Sequence, residues 1–117
     1  MASSLGEFEQ LILLALVRLG DEAYGVSIHH EIVRRAGREV TVASVYKTLE
    51  RLETKGLAAS TLGESTAERG GRRKKYFRIQ PAGRRALAQA LASLNRMTDG
   101  LSLEPGLATG PLRRDER

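Results

Sequence analysis

The side chains able to do chemistry in this chain are cations and hydroxyls. Ser44, Lys47, Thr48 and Arg51 recur at helical spacing within "TVASVYKTLERLETKG", with Tyr46 beside them. Further on, Arg69, Arg72, Arg73, Lys74 and Lys75 crowd around the Gly70-Gly71 pair of "ERGGRRKKYFRI". Cations packed this closely repel one another unless something anionic lies against them. Phosphate would neutralise them and release counterions in doing so. Lys and Arg can reach guanine O6 and N7 or a phosphate oxygen, and Ser and Thr can serve either. The chemistry expected is therefore recognition of a polyanion, with no bond made or broken.

Other chemistries find little support. Without cysteine there is no disulfide, thiolate zinc site or iron–sulfur cluster. His29 and His30 are the only histidines, and on a helix adjacent side chains diverge by about 100°, so they cannot share a metal. Both are expected on a helix surface. No nucleophile sits with a base, no carboxylates pair, and "GGRRK" lacks the spacing of a phosphate-binding loop. Neither an enzyme nor a cofactor is expected. The longest apolar run, Leu11 to Val17, is too short to cross a bilayer, and the start "MASSLGEFEQ" is acidic, unlike a signal peptide. A cytoplasmic protein without membrane insertion is the expectation. The net charge of +5 supports a polyanionic partner weakly. The gathering of Lys and Arg between Arg69 and Arg85 supports it better.

Positioning these cations requires a specific order of elements. A chain of 117 residues reads as one domain whose modest core would gain from a partner subunit. Leu5 to Leu19 reads as a helix apolar nearly all round, closed by Gly20. A second helix spans Tyr24 to Ala36 and stops at Gly37. Thr41 can cap a third helix from Val42 to Lys55, ended by Gly56. On that helix Val42, Val45, Leu49 and Leu52 form the apolar stripe, with Tyr46 at its edge. Ser44, Lys47, Thr48, Arg51 and Lys55 then form a basic, almost acid-free outer face. After Gly56 the period falls to two, and "LAASTLGES" and "RKKYFRI" make a hairpin around "TAERGG". Pro81 starts a last helix that runs to Met97. The fold expected is mostly α with a small β-hairpin: a winged helix-turn-helix over 5–80, a dimerisation helix over 81–98 and a flexible tail over 99–117.

Four stretches of this layout resemble the PadR-like bacterial transcription regulators. They are "LILLAL", "AYGVSIHHEI", "TVASVYKTLERLETKGL" and "GGRRKKYFRIQPAGRRAL", and the likeness runs from Leu11 to Leu87. The resemblance implies a homodimeric DNA-binding repressor. It also implies that Tyr46, as the tyrosine of the recognition helix, contacts phosphate. Ser44, Lys47 and Arg51 would face bases or backbone, and the Gly70-Gly71 wing would track a neighbouring groove. Where the family has threonine before the last helix, this chain has "QPAG". The single short last helix is similar to that of compact members. Some of these hold flat aromatic ligands between subunits with tryptophan, which this chain lacks; an inducer is left unidentified.

Leu87, Leu91, Leu94 and Leu101 fall at heptad-like spacing and make a candidate dimer seam, with Leu11 and Leu14 of the first helix as further interface residues. Two recognition helices one DNA turn apart, ~34 Å, would read a pseudo-palindrome. The expected partners are thus double-stranded DNA and a second copy of the chain. Two alternatives use the same fold: a non-sequence-specific RNA binder, and a winged-helix module that docks on protein. For the first, base stacking would need exposed aromatics, and of the five in the chain, Phe8, Tyr24, Tyr46, Tyr76 and Phe77, at least two are wanted by the core; the basic face of the third helix disfavours the second.

Overall fold

A computed structural model of the protein describes residues 5–63 and 73–104. Arg69, the Gly70-Gly71 pair, Arg72 and the tail from 105 lie outside the described residues.

Helix α1 (Glu7–Leu19) starts where Glu9 Oε1 accepts the Gly6 N–H at 2.9 Å, with Glu7 and Glu9 suited to the positive end of the helix dipole. It ends at Gly20, whose φ of 56° closes the turn. A short 3₁₀ turn (Gly20–Glu22) leads to α2 (Gly25–Glu31), where Ser27 Oγ accepts the Tyr24 N–H at 2.9 Å. The second helix is not α-helical to Ala36 as expected. From Ile32 to Ala36 it loosens into a π turn, and Gly37 at φ 67° stops it. Thr41 caps α3 (Val42–Thr54) as its type predicts, its Oγ1 accepting the Ser44 N–H at 3.0 Å.

Strands β1 (Ala58–Leu62) and β2 (Lys75–Ile79) pair antiparallel with Ser60 opposite Phe77. The chain just before α2 joins them: Tyr24 bridges Tyr76, and the Phe77 N–H donates to the Ala23 carbonyl at 2.8 Å. Helix α4 (Pro81–Thr98) carries Pro81 in its first turn. The core is built from Ile12, Leu13 and Leu16 of α1, Ile28 of α2, Val45, Leu49 and Leu52 of α3, and Phe77 of β2. This is a mostly helical winged-helix fold with a two-stranded hairpin and one C-terminal helix. No helix among the described residues is long and apolar enough to cross a membrane.

The first half of α4 belongs to that core. Gly83 is buried and Leu87 is only 6% exposed, so Leu87 is not an interface leucine; it packs into its own domain against α1. Leu101 is corrected too. The helix ends at Thr98 and Gly100 turns the chain at φ 83°, so Leu101 does not continue the helical heptad spacing. From Leu91 to Thr98 every residue is exposed, Leu91, Leu94 and Met97 among them.

Candidate nucleic-acid interface

Helix α3 is rotated relative to the sequence expectation. Its buried face is Val45, Thr48, Leu49 and Leu52, and Thr48 is 4% exposed. Thr48 is therefore no surface donor; its methyl and hydroxyl lie against the core. Val42, assigned to the apolar stripe, is 37% exposed instead. Lys47 and Arg51 do face out, and so does the acidic Glu50. Ser44 is half-buried, and its hydroxyl donates back to the Thr41 carbonyl at 2.8 Å.

Tyr46 marks one flank of α3. A Cβ on Gly25 would collide with the Tyr46 ring and hydroxyl, so only glycine lets that ring approach the start of α2 so closely. One residue earlier, the Tyr24 ring meets Tyr76 edge-on with centroids 5.5 Å apart, and Lys74 Nζ rests 4.3 Å above it. An unbroken line of contact thus leads from α3 through the start of α2 to the root of the hairpin. Lys75 Nζ lies 5.6 Å from the Phe77 ring, and Arg73 is exposed. On the same flank Glu53 Oε2 accepts the Ser60 hydroxyl at 2.6 Å, pinning α3 to β1.

The opposite flank is clamped to α1. Lys55, expected on the outer face, instead places Nζ 2.8 Å from Oε2 of the buried Glu9. Burial alone would raise the Glu9 carboxyl, but the Lys55 ammonium, the Gly6 N–H and the Arg51 charge outweigh it and hold it below the ordinary carboxylate range. A depressed carboxyl contributes stability that is present above its unfolded value of about 4.3 and is lost as pH falls through the folded one. Lys55→Met is expected to lower stability at pH 7 by about 1–2 kcal/mol, less than for a fully buried pair because Lys55 stays partly solvated. The gap between variant and wild type should close as pH falls below the ordinary carboxylate range, a trend that paired thermal melts would register.

His29 was expected at the surface. It is partly buried, and its Nε2 lies 2.8 Å from the Val40 carbonyl, tying α2 to the link before α3; His30 is exposed. Arg38 Nη1 holds Glu7 at 3.0 Å across the same link. Leu11 and Leu14 are half-buried. With Ile32 and Ala36 they floor a hollow of about 260 Å³, rimmed by the Arg35–Glu31 ion pair. Among the described residues no three His, Cys, Asp or Glu side chains gather as metal ligands.

Comparison with solved structures finds this fold elsewhere. A PadR family transcriptional regulator from Eggerthella lenta is 29% identical and superposes with a TM-score of 0.62 over 80% of this chain and 81% of its own. A transcriptional regulator from Clostridium thermocellum gives 27% identity and a TM-score of 0.65 over 77% and 84%. A PadR family regulator from hypervirulent Clostridium difficile gives 24% and 0.63 over 80% and 96%. Among curated proteins none matches the chain. The family model for the PadR-like transcriptional regulators matches residues 13–89, which take in the second half of α1, the helix-turn-helix, the hairpin and the start of α4. With that stretch well over half of its length, the chain belongs to the PadR-like family of transcriptional regulators.

Proposed function

We propose that this regulator binds double-stranded DNA as a homodimer, on a short pseudo-palindrome, and represses by occupying it rather than by any catalysis. The observation that carries the reading is the continuous contact from Tyr46 through Gly25 and Tyr24 to Lys74. It supports a reading in which the outward cations of α3, Lys47 and Arg51, act together with those at the root of the wing. Lys47 and Arg51 meet bases or phosphate, Ser44 and Tyr46 support the backbone, and Arg73 and Lys75 add phosphate contacts. Arg69 and Arg72, by sequence, extend that charge towards the wing tip. The winged-helix body supplies the reading surface, and the outer half of α4 supplies the seam to the second copy.

Gel-shift competition among random duplex, single strands, structured RNA and no nucleic acid tests this directly. Duplex should win; preference for RNA, or binding to none, would overturn it. In the same assay Arg73→Ala with Lys75→Ala should flatten the dependence of log affinity on log salt by ~0.9 per lost phosphate contact. An unchanged slope would take the wing out of the interface.

A further inference from the structure

The rotation of α3 moves its line of reading residues. Its buried face is Val45, Thr48, Leu49 and Leu52. At about 100° per residue, the line diametrically opposite runs through Ala43, Lys47, Glu50 and Thr54. All four are exposed. Beside that line Tyr46 and Glu53 are engaged with α2 and β1 on one flank and Lys55 with α1 on the other, while Arg51 stays exposed between Lys47 and Lys55. A helix entering the major groove presents its outermost line to the base edges, N-terminal residues foremost.

Resting on the DNA-binding reading above, we propose that Ala43 and Glu50, flanking Lys47, determine which base pairs each half-site carries. A carboxylate brought among phosphates is repelled unless it meets a donor. Cytosine offers its N4 amino group with no acceptor on its own groove edge, whereas adenine couples its N6 donor to the N7 acceptor. Glu50 therefore selects cytosine. Lys47 stands one helical turn back, with Cβ atoms about 5–6 Å apart at such spacing. A C·G pair satisfies both side chains, its guanine O6 and N7 taking the ammonium. At the first turn, the Ala43 methyl fits against a thymine 5-methyl. The acid that the sequence pattern placed off the reading face thus becomes its discriminating group.

Selection from a random duplex pool, run on the wild type and on Glu50→Ala, tests this. The wild type should enrich half-sites with one fixed C·G pair. In the variant, binding to unrelated duplex should rise, and preference at that pair should fall from roughly tenfold to under about twofold. An identical pattern of enriched sequences in the two proteins would overturn the Glu50 assignment. Replacing operator thymines by uracil removes only the methyl and leaves the protein unaltered. That change should weaken the wild type by roughly threefold to fivefold and leave Ala43→Gly almost unaffected. Equal losses in both proteins would remove Ala43. If the wild type enriches no duplex at all, the DNA reading itself falls, which is distinguishable from either failure above.

Discussion

Gly83→Ala is expected to lower the melting temperature by roughly 5–20 °C, although alanine is the better helix former. Gly83 is the third residue of α4 and is buried where the Leu57 backbone crosses the helix. A Cβ there would run into the Leu57 carbonyl oxygen and come within 2.9 Å of Ile79 Cγ1. Neither neighbour can easily give way. Leu57 donates its N–H to the Leu52 carbonyl at 2.9 Å, and its own carbonyl accepts the Gln80 N–H at 2.9 Å, just before α4 begins. Moving α4 outward would break that second bond and open the packing around Leu87. Helix propensity would return about 1 kcal/mol. Against it stand overpacking of about 1–3 kcal/mol and a strained or lost hydrogen bond of about 1 kcal/mol or more. A net loss of about 1–3 kcal/mol follows, and thermal unfolding followed by circular dichroism would measure it. A variant as stable as the wild type would mean that the contact between Leu57 and α4 is soft.

Leu91→Glu with Leu94→Glu should have the largest effect on operator binding while hardly touching the fold. In the single chain Leu91 is 38% and Leu94 55% exposed, and neither belongs to the buried core, so polar replacements there spare the body's packing. In the proposed dimer the same residues face a second copy across a twofold axis, and each glutamate would approach the partner's carboxylates. Sedimentation should show a monomer at micromolar concentration, with the melting profile of the body retained. Operator affinity should then fall by about 10²–10⁴-fold, because the second half-site no longer benefits from effective concentration. A variant that still sediments as wild type would place the seam elsewhere. One that becomes monomeric yet keeps its affinity would mean that one copy suffices.

The elements were legible where the signal is local. Thr41 as a cap, Gly20, Gly37 and Gly56 as stops, and Pro81 in a first turn act within a few residues of themselves. The rotation of α3 was not legible, because hydropathy treats threonine as polar and valine as apolar. Packing decides otherwise: Thr48 lies against the core, while Val42, in the first turn, stays exposed. That single rotation buried Thr48 and left Glu50 on the outward line of the helix. Leucine spacing alone led the seam to Leu87 and Leu101, and it missed the core under one and the helix end before the other. The Asp99-Gly100 pair was the available stop signal. The Lys55–Glu9 clamp joins residues 46 positions apart and leaves no periodic trace. The π turn after Glu31 likewise has no compositional mark.

The outer half of α4 stands clear of the body, and in the proposed dimer this makes it a ruler. Each added helical turn would push the two bodies apart by about 5.4 Å and swing one against the other. Neither α3 nor the hairpin would change. Spacing between half-sites and the letters within them are thus held by separate parts of the chain, so a lineage could retune one without relearning the other.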